Sequence, residues 1–107
     1  MKMSINSKFH RRIGGNNMVL AGVKFKIEDY YIYENGKVYR NVAAGKFEDK
    51  LHCVRKVGKY KLCAEHFNCA LPYTVYYIID TEKEVIYRSE DCHYSYINEL
   101  VEEIKQL

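Results

Sequence analysis

The sequence predicts an α+β fold: an antiparallel β-sheet built from hairpins, with a C-terminal amphipathic helix packed on one face. Three observations carry that expectation. Asn35-Gly36 sits between tyrosine-rich runs, a sharp hairpin signal. Short runs elsewhere alternate apolar and charged residues, the period of a half-buried strand. The last turns of the chain carry an apolar stripe at helical spacing. With 107 residues the chain is long enough to bury one core without disulfides or metal. Residues 18–107 read as a single α+β domain, preceded over 1–17 by a basic arm or short helix.

In the N-terminal stretch Ile5, Phe9 and Ile13 recur every fourth residue, one helical face, with Ser4 as N-cap and Gly14 as stop. Residues 18–28 read as one strand, Val23, Phe25 and Ile27 alternating with Lys24 and Lys26. Around Asn35-Gly36, pairing Glu34 with Lys37 sets Tyr33 opposite Val38, Ile32 opposite Tyr39 and Tyr31 opposite Arg40. The face holding Ile32 is the expected core face, because the other carries Arg40. Residues 42–48 read as a connection, and residues 51–63 as a second hairpin turning at Val57-Gly58. Residues 64–72 read as a loop or a single helical turn, closed by Pro72. Residues 73–80 then form a strand, 81–84 a turn and 85–88 a strand. A helix follows from an N-cap at Ser89, its stripe made by Ile97, Leu100, Val101, Ile104 and Leu107. The sheet should hold about five to seven strands.

Charge divides along the chain. Met1 to Pro72 carry fourteen Lys/Arg against six Asp/Glu, and Tyr73 to Leu107 three against eight, inside a net +3. Such a division attracts partners of opposite sign. Apolar runs are too short to span a membrane, and no secretory pattern opens the chain. The four cysteines therefore read as reduced thiols in a cytosol.

No motif rises to an enzyme signature: GxSxG, a P-loop, HExxH and GxGxxG are all missing, and no cofactor is implied. Cys63-x2-His66-x2-Cys69 has metal-like spacing, with His52 or Cys53 in reach across the second hairpin. Zinc wants four ligands in two close pairs, and His52 and Cys53, being adjacent, point apart on a strand. Cys53, Cys63, His66 and Cys69 are thus weak ligand candidates, with core thiols the plainer reading. Cys63 and His66 would meet only on a helical turn, and no third catalytic member is identifiable.

Basic and aromatic residues give the stronger lead. Tyr31, Tyr33 and Arg40 on one hairpin face, beside Lys24, Lys26, Arg55, Lys56 and Lys59, would make a platform for phosphates and bases. Lys8, Arg11 and Arg12 would add an arm. Tyr and Arg are equally the residues of protein-binding hot spots. Twelve Lys and eleven Tyr against five Arg, one Pro and no Trp suggest an AT-rich genome. In size and composition the chain resembles small phage and mobile-element proteins, among them anti-defence and anti-CRISPR inhibitors. That resemblance implies stoichiometric binding to a host nucleic-acid-handling protein. Direct RNA or single-stranded DNA binding, a small zinc-binding domain and homodimerisation through an uncovered edge are the alternatives.

Overall fold

The computed structural model describes residues 10–13, as backbone, and residues 17–107. Ten strands, β1 (His10–Ile13), β2 (Asn17–Leu20), β3 (Val23–Glu28), β4 (Tyr31–Glu34), β5 (Lys37–Val42), β6 (Gly45–Asp49), β7 (His52–Val57), β8 (Tyr60–Phe67), β9 (Tyr73–Asp80) and β10 (Val85–Ser89), precede one helix, α1 (Ile97–Ile104). They form a seven-stranded sheet in the order β1-β2-β3-β10-β9-β8-β7 and a three-stranded sheet, β4-β5-β6, all antiparallel.

β9 explains the layering. Val75 through Asp80 are all buried, so this strand is covered on both faces. Tyr76 and Ile78 join Leu20, Phe25, Leu62, Leu100 and Ile104 in one cluster, which the helix closes. Val75, Tyr77 and Ile79 join Tyr31, Tyr33, Cys63 and Ile86 in a second, which the small sheet closes. Each such side chain taken from water contributes about 1.5–3 kcal/mol.

The Asn35-Gly36 hairpin has the register read from the sequence, Glu34 opposite Lys37 through Tyr31 opposite Arg40. Its turn residues sit at φ 51° and 80°, as a type I′ turn requires. The face is the reverse of the expected one. Tyr31 and Tyr33 are 6% and 8% exposed, while Ile32 and Tyr39 are only half-buried. Arg40 does not prevent this, because its guanidinium reaches Asp49 at 2.9 Å and stays exposed at the rim.

Other boundaries differ too. The strand expected over 18–28 is a hairpin, β2–β3, turning at Ala21-Gly22 with φ of 53° and 75°. Residues 45–49 form edge strand β6 rather than a connection, and residues 64–67 prolong β8 rather than coil. His10–Ile13, expected in a helix or arm, pair with β2 as a strand; Ser4, Ile5 and Phe9 lie outside the described residues. The helix starts at Ile97, not after Ser89. Ser89 ends β10 instead, its hydroxyl accepting from the Tyr76 amide at 2.8 Å and donating to Glu90. Cys92 then bridges Thr74 through two backbone hydrogen bonds, in a stretch that is not yet helical.

Candidate functional site

The two charge regions of the sequence do not become two poles. β3, from the basic part, pairs with β10, from the acidic part, and the cationic β7–β8 hairpin lies beside β9. Several carboxylates of the acidic part grip backbone amides: Glu103 accepts from Ala21 at 2.8 Å, Glu84 from Asn35 at 2.9 Å and Glu90 from Lys24 at 3.1 Å. Buried Asp80 accepts from the Glu82 and Lys83 amides of the β9–β10 turn.

The expected basic-aromatic platform is dispersed. Tyr31 and Tyr33 are core residues, Tyr33 with the Lys61 ammonium 5.7 Å over its ring. Lys24 and Lys26 stand on β3, whereas Arg55 and Lys56 stand on edge strand β7. Four strand spacings separate β3 from β7, about 19 Å. Lys59, in the β7–β8 turn, pairs with Glu82 at 3.4 Å and lies near Asp80 at 4.0 Å. Arg11 and Arg12 lie on β1 opposite Val19 and Met18, and Lys8 lies outside the described residues.

The metal-ligand candidates also separate. Three residues apart on a continuous strand, Cys63 and His66 point to opposite faces. The His66 Nδ1 lies 2.7 Å from the Thr74 hydroxyl, and Cys69 sits beyond β8 with its thiol donating to the Leu71 carbonyl. Among the described residues no three His, Cys, Asp or Glu side chains gather as a metal would need.

What the fold assembles is a cleft of about 500 Å³ where the small sheet meets the uncovered part of the long one. Its floor is Tyr31 and Tyr77, rings edge to face at 5.4 Å, both hydroxyls donating to Glu65, at 3.2 and 3.0 Å. Burial first, and then Glu65, raise the pKa of Tyr31. Burial also pushes Tyr77 up to about 12, with Glu65 adding to the rise and Arg88 opposing it. Both hydroxyls are therefore fixed as protonated donors.

The rim holds Tyr30, Arg40, Phe67 and Arg88. Tyr30 is 46% exposed, its ring edge to face on Tyr31 at 5.1 Å. Arg88 sits 3.7 Å from Glu28, whose other oxygen accepts from the Asp29 and Tyr30 amides and so shapes the entry to β4. Glu28 and Arg88 also line an adjoining groove with Lys24 and Lys26, so these two lysines lie beside the cleft while Arg55 and Lys56 do not.

This arrangement can hold a ring against Tyr30 and Phe67, and a carboxylate or carbonyl against Arg40 or Arg88. Sequence reasoning named Tyr31 and Arg40 but did not assign Tyr30, Phe67, Tyr77 and Arg88 to the site. Tyr77 and Arg88 are direct partners in the β9–β10 hairpin, whereas Tyr30 and Phe67 come from other parts of the chain and no local spacing joins them to that pair. No family model, no curated protein and no solved structure matches the chain. No helix among the described residues is long and apolar enough to cross a membrane.

Proposed function

We propose that the chain is a non-enzymatic binding protein that docks a protein partner in the cleft between its two sheets. The observation that carries this reading is the rim itself: half-exposed Tyr30 beside Arg40 and Arg88, over a floor of fixed tyrosine donors. Tyr and Arg at a concave, well-packed patch are the usual composition of an interface hot spot. Lys24 and Lys26 beside it supply steering charge. The composition of the chain supports a cytosolic inhibitor of a nucleic-acid-handling protein, acting by stoichiometric binding.

Two features weigh against a phosphate chain in the cleft. Glu28 and Glu65 line it together with Arg40 and Arg88, so its cations are matched by carboxylates. The hairpin cations are engaged as well: Arg40 with Asp49, Lys37 with Glu48 and Lys46 with Glu34. Nucleic-acid binding remains the second reading on one observation, the exposed pair Lys24 and Lys26.

Affinity capture from a nuclease-treated host lysate, beside an untreated one, separates the two. The expected result is a discrete protein held after nuclease treatment, with little loss at moderate salt. Recovery of nucleic acid alone, weakening steeply with salt, would reverse the assignment.

A further inference from the structure

We propose that Cys53 and Cys63 form a modification site, a cross-strand dithiol that a small disulfide such as glutathione disulfide oxidises to an intramolecular disulfide. The two residues are direct partners in the β7–β8 ladder. Direct partners of an antiparallel pair stand about 4.5–5.5 Å apart at Cα and project from one face. Disulfides occupy Cα separations of about 4.4–6.8 Å, so the backbone is already placed. The exposures are complementary: Cys53 is exposed on the edge strand, and Cys63 is 1% exposed beneath the small sheet. Both line a groove of about 230 Å³ with Tyr33, Leu51 and Lys61, at the seam between the sheets. Cys69 and Cys92 lie elsewhere, the first beyond β8 and the second in the helix-side cluster.

A register shift between Cys53 and Arg55 bends β7 beside the pair. Ladder Cβ atoms sit about 4.5–5.5 Å apart, against a disulfide mean of about 3.8 Å, so closure draws the strands together. A disulfide closed under such tension is of the reducible, labile kind.

Burial sets the order of events. The Cys53 thiolate attacks one sulfur of glutathione disulfide, its S–S bond breaks, and one glutathione thiolate leaves. Burial, and then the adjacent Cys53 thiol, push Cys63 up to about 12, so Cys63 is not the first to react. Its sulfur next attacks the Cys53 sulfur, and its proton goes to the second departing glutathione. Two protein thiols are oxidised, and one glutathione disulfide is reduced to two thiols. The product ties edge strand β7 to β8 beside the docked small sheet.

The test uses the full reduced chain with glutathione disulfide, followed by alkylation, digestion and mass mapping. In the wild type the Cys53 and Cys63 peptides should together lose the mass of two hydrogens, carry no glutathione at either position and appear as one linked peptide that dithiothreitol releases, whatever exposed Cys69 acquires. Cys63→Ala should stall with one glutathione on Cys53, and Cys53→Ser should leave Cys63 reduced. Stable glutathione on Cys53 in the wild type, a link to Cys69 or Cys92, or a link between chains would overturn the assignment. Because Cys63 is buried, its variant could misfold. The exposed Cys53→Ser then decides, and oxidation of Cys63 in that background would equally overturn it.

Discussion

The two faces of the long sheet are closed by different chemistry. On one, Leu100 and Ile104 of the helix meet Leu20, Phe25, Leu62 and Ile78, side chains with no polar atom to satisfy. On the other, Tyr31, Tyr33 and Tyr77 do the covering, and two of their hydroxyls converge on Glu65. The helix face is mostly aliphatic, and its buried Tyr76 hydroxyl accepts from the Tyr96 amide at 3.1 Å rather than meeting a carboxylate. The tyrosine face needs a carboxylate to satisfy two of its donors, and the cleft opens over that cluster. A tyrosine-built layer can close a core and still present hydroxyls at a cleft, since each ring has an apolar body and a polar tip.

The largest effect should come from the aliphatic face. Leu100 is fully buried, and Leu100→Ala should cost about 2–5 kcal/mol in urea denaturation, with loss across both sheets. A cost confined to the helix would show the two faces to be energetically separate. On the tyrosine face, Glu65→Ala leaves two buried donors unmatched and should cost about 1–3 kcal/mol. Hydrogen exchange should show β4–β6 amides losing protection before those of β9. Equal loss everywhere would contradict the separate docking of the small sheet.

Alkali should act chiefly on the tyrosine face, with a smaller contribution from Tyr60 on the helix side, whose pKa burial also raises. With the Tyr31 and Tyr77 pKa values raised above the ordinary 10.0, the folded state keeps protons that the unfolded chain releases. The stability they contribute is complete below pH 10.0 and is lost as pH climbs through the folded values. The urea midpoint should therefore fall above that pH, and Tyr77→Phe should flatten the fall. The smallest effect belongs to the helix side. Ala21 sits at φ 53°, where a Cβ is strained, and Ala21→Gly should stabilise by about 0.5–1 kcal/mol in the same assay.

Local chemistry was legible in the sequence, as was the facing of Val23, Phe25, Lys24 and Lys26, but the facing of the first hairpin was not. Asn35-Gly36 dictated both turn type and register because few residue pairs accept two positive φ angles. The apolar run at 75–79 marked β9 as a strand for the same local reason. The inward face of the first hairpin was misread because tyrosine suits either side and Arg40 sits at the row's end, where it overhangs. β6 went unseen because an exposed edge strand needs no alternation, and every residue from Gly45 to Glu48 is exposed. The turn at Ala21-Gly22 carried one glycine, and Glu103, far along the chain, secures it. Of the cleft, Tyr31 and Arg40 were legible, and Tyr77 and Arg88 face each other within one hairpin. Glu28, Tyr30, Glu65 and Phe67 join them only through the order β3-β10-β9-β8 and the docking of the small sheet, which no local pattern encodes.

The most direct test of the cleft as the binding face compares two double variants on the captured partner. Tyr30→Ala with Arg40→Ala alters exposed rim residues, and Arg55→Ala with Lys56→Ala alters the far edge strand. The measurement is the dissociation constant of each, with matched urea midpoints as the folding control. The account predicts that the rim pair weakens binding by about 30-fold or more, on the order of 2 kcal/mol, and that the edge pair changes it less than about threefold. The opposite ranking would contradict it and place recognition on the cationic edge.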